Sequence, residues 1–333
     1  MTMWKLLCSI ILLLLLSIVI IDYFHDGSEG TEPASQTEHD FTFENDGETV
    51  YVSNGKAYDK NGKHLADLYD PNHFNEHYVE EDGTLYLVHD GTRYATTTEL
   101  TTDFEYDALA DIMASEERWE QYMWNSYTTN PEFSGKKDNY HDVGNTIELA
   151  QDPTGRENRV LKTTAKATGK VSKASVKREL FYFPEGSEIY FEGWFYIEGE
   201  DIYDGGGTTI LDIESNWALG SPGIRLIFKD GDALAYEVKG MQKTYRQESP
   251  VEFPSKEWVH VKGRILVSSD NGEMQLWQND QLVLDTEGQT LPYPGTFLNT
   301  VEVGTTAISK YAKNDQTIYV DDFTISGSPS EIF

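Results

Sequence analysis

Residues 258–279 constrain the fold of this chain more than any other segment, because they read as two strands joined by a tight turn. Apolar residues alternate with polar ones along both arms. Between the arms, Asn271 and Gly272 supply the positive φ angles that a two-residue hairpin turn requires. Similar short alternating segments recur from 187 to 326, so the sequence predicts a sandwich of antiparallel sheets with few helices.

The charge of the chain limits its partners. Acidic residues number 57 against 26 basic ones among 333 residues, which gives a formal net charge of -31. Nucleic acid is excluded as a partner, because phosphate backbones bind to basic surfaces. An acidic polysaccharide would need a local basic patch, since the overall charge mainly favours solubility. The length suits one all-β domain with a smaller folded unit beside it.

An apolar run at residues 6–21 predicts a membrane-targeting segment. Its length lies between that of a signal-peptide core and that of a full membrane span. Lys5 precedes the run, acidic residues follow it, and the small residues typical of signal-peptidase cleavage do not come next. These flanks favour an uncleaved anchor within 1–24, with the body of the protein on the extracytoplasmic side. Cleavage would instead give a secreted protein. The polar stretch 25–40 is predicted to be an acidic tether.

Turn signals divide the next part of the chain into short segments. Asn-Gly and Asp-Gly pairs recur between short apolar stretches, which predicts a small β-hairpin module at 41–102. Apolar residues at helical spacing predict a helix over 106–127. We expect the sandwich itself to occupy 103–328, followed by a tail at 329–333.

Several segments of the predicted sandwich together resemble a known family. These segments are 151–161, 177–180, 193–197, the hairpin at 258–279 and the closing strand at 319–326. Their pattern resembles concanavalin A-like jelly rolls and, within them, the heparin-lyase-like group of polysaccharide lyases. The resemblance implies an all-β jelly-roll sandwich. Laminin-G-like and carbohydrate-binding jelly rolls share the closing strand, so the resemblance implies the fold more specifically than the activity.

The resemblance also implies where a polysaccharide lyase would place its catalytic residues. Such lyases combine an Arg-Glu strand, a Gln-x-His strand and a Tyr-Lys-x-Gly-x-Tyr strand. Arg178 begins a match to the first, whereas residues 209–214 carry carboxylates in place of the amide and the imidazole, and 301–304 departs from the third. In a lyase, Arg178 would neutralise the carboxylate of a uronate. His260 or Tyr190 would then remove the adjacent proton in a β-elimination.

Strand alternation predicts a ligand-binding face as well. Along residues 188–198, apolar side chains fall on one face and aromatic or acidic ones on the other. Aromatic rings suit the apolar faces of sugars, and arginine binds carboxylate or sulfate in a bidentate manner. We expect one aromatic and basic groove, formed by Glu192, Trp194, Tyr196, Arg225, Lys262 and Arg264.

These features predict a membrane-anchored, extracytoplasmic protein that binds polysaccharide in this groove. Two alternatives stay open. One is a lyase that cleaves a uronate-containing glycan by β-elimination, and the other is a structural surface protein that contacts another protein. The basic residues would also fit a merely solvated face, because charged residues are mostly exposed.

A structural calcium ion is a further implication of the resemblance, since jelly rolls often hold one near their first and last strands. Glu105, Asp321 and Asp322 occupy similar positions here. Calcium takes about six to eight oxygen ligands from carboxylates and carbonyls. The sequence has no EF-hand, zinc-site or phosphate-loop spacing.

Overall fold

The structure, a computed structural model, describes residues 41–45, 48–69, 78–82, 84–89, 92–114, 120–125, 144–199, 207–215, 218–229, 231–241 and 243–329. All of these belong to one compact unit that spans 39–333. The predicted anchor at 1–24 and the tether at 25–40 lie outside the described residues. In the part of the chain that is described, no helix has the length and apolar character needed to cross a membrane.

The larger of the two main sheets has eight strands, which pair in antiparallel fashion. They are β8 (Glu99–Thr102), β10 (Thr146–Gln151), β11 (Arg159–Ala165), β14 (Glu188–Ile197), β19 (Trp258–Leu266), β20 (Gly272–Gln278), β21 (Gln281–Gly288) and β24 (Gln316–Ser326). Their order is β10-β11-β24-β14-β19-β20-β21, and β8 pairs with the end of β24. The last strand thus lies at the centre, between strands distant from it in sequence.

The second main sheet has seven strands, again antiparallel. They are β9 (Glu120–Asn125), β12 (Ser172–Arg178), β15 (Thr208–Glu214), β16 (Gly223–Phe228), β17 (Leu234–Lys239), β18 (Lys243–Tyr245) and β23 (Thr300–Ile308). Their order is β18-β17-β16-β15-β23-β12-β9. These two sheets confirm the prediction of an all-β sandwich, and their crossed connections are those of a jelly roll.

The main hydrophobic core lies between these sheets. Ile189, Phe191 and Phe195 of β14 contribute fully buried side chains from the eight-stranded sheet, and Val301 and Val303 of β23 do so from the other. Successive side chains of a strand point to opposite faces, so the residues between these point away from the core. Each sheet therefore presents an outer face.

The two strands of the hairpin predicted at 258–279 are confirmed, but the tight turn expected at Asn271 and Gly272 is wrong. Residues 267–271 connect the strands, Gly272 is the first residue of β20, and neither Asn271 nor Gly272 has a positive φ. Strands β19 and β20 pair from Val261 opposite Gln278 to Leu266 opposite Glu273. Burial alternates strictly along β19, with every second side chain in the core. The polar residues of this hairpin consequently share one outer face.

The helix predicted over 106–127 is wrong for most of the residues that the structure describes in this range. Helix α1 covers Leu109–Ala114, whereas Glu120–Asn125 is the edge strand β9. This strand pairs with β12, from Lys177 opposite Glu120 to Ser172 opposite Asn125. Pairing with a sheet edge satisfies the backbone hydrogen bonds, and the tyrosine and tryptophan of this segment favour strands, so tertiary pairing overrides the helical spacing.

The region predicted as a small module forms two small antiparallel sheets. One contains β1 (Phe41–Asn45), β2 (Glu48–Ser53), β3 (Lys56–Tyr58) and β4 (His64–Asp67), and the other β5 (Tyr78–Glu81), β6 (Thr84–His89) and β7 (Thr92–Ala95). A short pair, β13 (Phe183–Pro184) with β22 (Phe297–Leu298), lies next to them. Tyr78 packs edge-on against Phe297, with ring centroids 5.6 Å apart. The independence of 41–102 as a module stays a prediction.

Candidate functional site

The outer face of the eight-stranded sheet brings aromatic side chains together. We call the patch formed by Glu192, Trp194, His260, Lys262 and Trp277 the aromatic face. In the strand register, Glu192 lies opposite Lys262, Trp194 opposite His260, and Lys262 opposite Trp277. Side chains opposite one another on one face of a sheet are in contact distance. The three adjacent strands β14, β19 and β20 thus build a continuous patch.

Trp194 and His260 form the centre of the aromatic face. Their rings are stacked, with centroids 4.7 Å apart and planes inclined by 16°. The Nε2 atom of His260 lies 3.0 Å from Oε2 of Glu192, which fixes the imidazole from its other side. Trp194 nevertheless remains 36% exposed. The stack therefore holds a large aromatic ring in one orientation at the surface.

Lys262 adds a cation beside this stack. Its Nζ atom lies 3.1 Å from Oδ1 of Asp280, a residue in the turn after β20 whose side chain is 79% exposed. Because the acidic partner is so exposed, water screens the pair. A ligand anion can replace Asp280 at this ammonium group at small cost.

Arg264 and Tyr190, farther along the same strands, belong to a closed polar cluster. Nε of Arg264 donates to Oε1 of Glu188 over 2.9 Å, and Nη1 donates to Oε2 of Glu273 over 2.6 Å. Oη of Tyr190 donates to Oε2 of Glu188 over 2.8 Å. Donation from Arg264 and Tyr190 lowers the pKa of Glu188. Burial, with Glu188 adding to it, raises the pKa of Tyr190, so this phenol keeps its proton at neutral pH.

Tyr196 lies at the other end of β14 in an aromatic cluster of its own. Its ring centroid is 5.7 Å from that of Trp258 and 5.5 Å from that of Tyr319. Nε1 of Trp258 lies 3.2 Å from each carboxylate oxygen of Asp152. Tyr196 is buried in this cluster, so it supports the aromatic face from one side and offers little surface of its own.

The outer face of the seven-stranded sheet has a different character. We call the cavity of about 570 Å³ on β12, β15, β16, β17 and β23 the charged cleft. Its charged lining includes Lys173, Arg225, Lys239, Glu214, Glu237 and Glu302. None of the described residues that line it is aromatic. Ligands of this cleft would meet charges and hydrogen-bonding groups.

Arg225 of β16 is the main cation of the charged cleft. Its Nε atom lies 3.1 Å from Oδ1 of Asp212, its Nη2 3.8 Å from Glu214, and its Nη1 3.5 Å from Glu237. Asp212 is fully buried, which disfavours its charge, but Arg225 and then the nearby lysines outweigh burial and lower its pKa. A second cation, Lys239, holds Glu214 at 2.6 Å.

Glu302 of β23 differs from the other carboxyl groups of the cleft. Its only cation within ion-pair distance among the described residues is Lys173, whose Nζ lies 3.2 Å from Glu302 and 3.6 Å from Asp212. Burial, assisted by the charges of Glu214 and Asp212, outweighs Lys173 and raises the pKa of Glu302 to about 7. The charges around the cleft therefore lower the pKa of Asp212, while burial raises the pKa of Glu302.

The single groove predicted from the sequence is wrong. Glu192, Trp194 and Lys262 do share one face, but Arg225 lies on β16 in the opposite sheet. Strand alternation assigns a residue to one side of its own strand. It does not tell which of the two sheets the strand belongs to. The sequence pattern around Arg225 therefore could not show that this residue lies on a different sheet from Trp194 and Lys262.

The predicted catalytic set is also not assembled. His260 and Tyr190 lie on the eight-stranded sheet, whereas Arg178 lies on β12 of the seven-stranded sheet. Arg178 follows Ala174 and Val176 on the inner side of β12, and its guanidinium carbon lies 5.5 Å from the centroid of Phe181. A core between the two sheets separates the base from the arginine, so they cannot meet one uronate.

The predicted calcium ligands lie near one another but accept hydrogen bonds from the protein. Oδ2 of Asp321 accepts from Asn158 over 2.8 Å, and Oε1 of Glu105 accepts from the backbone N–H of Arg159 over 3.2 Å. Burial, followed by the charge of Asp322, raises the pKa of Asp321 to about 6. Among the described residues, no group of three or more acidic, histidine or cysteine side chains is placed to hold a metal ion. As arranged, these residues do not fit calcium, and its binding stays a prediction.

Sequence reasoning did not single out Lys173, Asp212, Glu214 or Glu302 as site residues. A signal was nevertheless present, because the carboxylates at 209–214 alternate with residues that pack in the core. Alternation places them on the outer face of a strand, but only the neighbouring strands β16 and β23 bring cations and Glu302 to them. The pairing of β15 with β23 brings Asp212 opposite Glu302, which lies 90 positions later in the sequence.

Solved structures with a similar arrangement include three proteins related to polysaccharides by name. The endo-β-1,4-glucuronan lyase of the fungus Trichoderma reesei is 13% identical, with a TM-score of 0.47 over 57% of this chain and 90% of that protein. Cellulose-induced protein Cip1 is 14% identical, with a TM-score of 0.46 over 69% and 97%. Alginate lyase Aly36B in complex with an alginate trisaccharide is 13% identical, with a TM-score of 0.42 over 70% and 99%.

Comparisons of sequence give no further relatives. No protein-family model matches the chain, and no curated protein matches it. The function of this chain is therefore argued from its own side chains.

Proposed function

We propose that this chain binds polysaccharide and that the aromatic face is the binding surface. The observation that supports this most directly is the Trp194–His260 stack, which keeps an indole 36% exposed in the middle of a sheet. Large aromatic side chains are usually mostly buried. The indole of Trp194 is held by the stacked imidazole of His260, and Glu192 holds that imidazole in turn. Because the indole is already held in place, little conformational entropy is lost when a ligand binds to it.

The chemistry of this surface suits a sugar chain. The C–H groups on one face of a pyranose ring are weakly positive, and the face of an indole ring is weakly negative. A sugar stacked on Trp194 would have the Glu192 carboxylate and the His260 imidazole at its edge to accept or donate hydrogen bonds. Lys262 lies on the next register position and suits a carboxylate on the same polymer. The proposed ligand is therefore an acidic polysaccharide.

The decisive variant is Trp194→Ala. Burying an apolar side chain is worth about 1.5–3 kcal/mol, which corresponds to roughly a 10- to 100-fold loss of affinity. Binding is measured by calorimetry with soluble uronate polymers, alginate and glucuronan, and by pull-down on insoluble cellulose as a neutral polymer. We expect the variant to lose affinity for the polymer that the unmodified protein binds, while it still unfolds in one cooperative transition with a slightly lowered midpoint, because the stack on His260 is lost.

Tyr311→Ala is the matched control, because this aromatic side chain is 64% exposed and lies in the turn after β23, outside the aromatic face. The control should bind as the unmodified protein does. Equal affinities of the Trp194 variant and the unmodified protein would exclude the aromatic face as the binding surface. Absence of binding to every polymer would favour the alternative of a protein that contacts another protein.

We also propose that the chain is exported and anchored by residues 6–21, with its body outside the membrane. The apolar run, Lys5 before it and the acidic flank after it support this orientation. The measurement is fractionation of expressing cells followed by protease treatment from outside. Recovery of the full-length chain in the soluble cytoplasmic fraction would contradict both the anchored and the secreted form.

A further inference from the structure

We propose that the charged cleft hydrolyses glycosidic bonds of a carboxylated polysaccharide, with Glu302 as the proton donor and Glu214 as the base. This inference goes beyond the proposed function, because it adds a catalytic activity on the opposite sheet. It uses no residue of the aromatic face. Lysozyme-type and other glycosidases show that two carboxyl groups in different protonation states suffice for this chemistry.

Strand pairing makes the two acidic residues neighbours on the outer face of the sheet. Asp212 lies directly opposite Glu302, and Glu214 lies two residues farther along β15 on the same outer face. Glu214 and Glu302 are therefore diagonal neighbours on adjacent strands, with about 7–8 Å between their backbone positions. A glycosidase that activates a water molecule needs roughly 6.5–9.5 Å between its two carboxyl groups, which this neighbour relation can provide. Both side chains line the cavity.

The surroundings of the two groups give them different roles. Glu302 is 2% exposed and faces Lys173, Lys177, Asp212, Glu214 and the Ser175 hydroxyl. Burial, followed by the charges of Glu214 and Asp212, outweighs the two lysines, and its pKa of about 7 lets it hold a proton for donation. Glu214 instead lies between two cations, with Lys239 at 2.6 Å and Arg225 at 3.8 Å.

The cleft is suited to a carboxylated sugar chain. Its volume of about 570 Å³ falls within the range of roughly 300–1,000 Å³ found for small-molecule sites. At the side of the cleft away from Glu302, Lys229 pairs with Glu237 at 2.8 Å and Lys239 pairs with Glu214 at 2.6 Å, and their side chains are 33% and 22% exposed. Lys229, the more exposed of the two, is the ammonium group that a carboxylate of the polymer can share with Glu237.

The reaction balances with water as the second reactant. The Glu302 proton passes to the glycosidic oxygen as the bond from that oxygen to the anomeric carbon breaks. A water molecule forms a new bond to the anomeric carbon and transfers one proton to Glu214. The products are an alcohol and a new reducing end, and the Glu214 proton returns to Glu302 through solvent. No double bond forms, so the products differ from those of β-elimination.

The experiment measures new reducing ends and the ultraviolet absorbance of unsaturated sugars, with alginate and glucuronan as substrates. We expect reducing ends without unsaturated product. General acid–base catalysis contributes about 10²- to 10⁴-fold, so Glu302→Gln and Glu214→Gln should each lower the rate at least about 100-fold. The rate of the unmodified protein should fall as the pH rises above about 7, where Glu302 loses its proton.

A structural role alone predicts different results. Asp152→Asn is the control, because Asp152 is 3% exposed, pairs with Arg156 and lies outside the cleft. This variant should lose stability yet keep its rate, and formate added to Glu214→Ala should restore part of the lost activity by replacing the missing carboxylate.

Unsaturated products, an equal loss of rate in Asp152→Asn, or no reducing ends from either polymer would overturn the proposal. Polymer binding by Glu302→Gln is measured in parallel. Since that residue is absent from the aromatic face, loss of cleavage with intact binding separates the two proposals.

Discussion

The two outer faces of this sandwich both result from strand alternation, but they differ in how far their charged side chains are exposed to water. On the aromatic face, the side chains of Glu192 and His260 keep 24% and 16% of their surface exposed. In and beneath the charged cleft, the side chains of Asp212, Glu214 and Glu302 keep 3% or less. A polar residue on an outer face is thus not necessarily solvated. Neighbouring strands decide whether its charge is screened by water or must be matched by other side chains.

The two faces should differ most in how much stability is lost when an arginine is replaced by alanine. Arg225→Ala removes the cation that pairs with Asp212, Glu214 and Glu237, and leaves the fully buried Asp212 with Lys173, at 3.6 Å, as its one ion-pair partner among the described residues. Breaking a buried ion pair costs about 3–5 kcal/mol. We expect a loss of this size in the free energy of unfolding, measured by urea denaturation at neutral pH.

Arg264→Ala is the matched change on the other sheet, since Arg264 also pairs with two acidic residues. Its acceptors Glu188 and Glu273 have 37% and 42% of their side-chain surface exposed, so water can replace the arginine. A loss of about 1 kcal/mol or less is expected. Equal losses in the two variants would remove the distinction between a buried and a solvated face.

The second prediction concerns the pH dependence of stability. The pKa of Glu302 rises from its ordinary value of 4.5 to about 7 on folding. A raised carboxyl pKa stabilises the folded state at low pH, and this contribution is lost as the pH rises toward 7. With about 1.36 kcal/mol for each pH unit, the loss is on the order of 3 kcal/mol.

The comparison is between the unmodified protein and Glu302→Gln, with unfolding measured at several pH values from 4.5 to 7. The unmodified protein should lose stability relative to the variant across this interval. Asp212 has the opposite effect on stability. Its pKa is lowered on folding, so the stability that it contributes is lost only as the pH falls into a more acidic range. Parallel stability curves for the two proteins would show that Glu302 ionises normally and would weaken its role as a proton donor.

Much of the sandwich could be predicted from the sequence because its information is local. The regular alternation of apolar and polar residues along both arms defines strands β19 and β20 without knowledge of any other strand. Glu120–Asn125 shows the limit of such information. Its helical spacing was outweighed by hydrogen bonds to β12, a strand about 50 residues later in the chain.

The candidate sites could likewise be predicted only where they depend on local sequence patterns. Trp194, His260 and Lys262 could be found because they lie on neighbouring strands whose alternation is regular. The charged cleft depends on the pairing of β15 with β23, which brings Asp212 opposite Glu302 from 90 positions away. Long-range register of this kind is set by how strands assemble in the core, and no local pattern in the sequence encodes it.

A third prediction tests the core that separates the two faces. Gly263 on β19 points inward, and a Cβ atom there would lie 2.2 Å from the Phe191 ring and 2.5 Å from the Tyr236 hydroxyl of the other sheet. Overpacking of this kind costs about 1–3 kcal/mol. Gly263→Ala should therefore lower the unfolding midpoint, whereas Gly199→Ala, whose Cβ would meet its nearest atom at 3.6 Å, should not. A tolerated Gly263→Ala would mean that the sheets are less tightly packed than described.

The smallest expected effect belongs to Lys262 on the aromatic face. Its pair with Asp280 spans 3.1 Å but includes a side chain that is 79% exposed, so Lys262→Ala should cost less than about 1 kcal/mol of stability. The same variant should weaken binding of a uronate polymer and reduce the salt dependence of that binding, because one cation is lost. Binding of a neutral polymer should not change. Unfolding and binding are each measured at low and high salt. A stability loss above about 2 kcal/mol would place Lys262 among matched charges like those of the cleft, and its ammonium group would then not be available to a ligand.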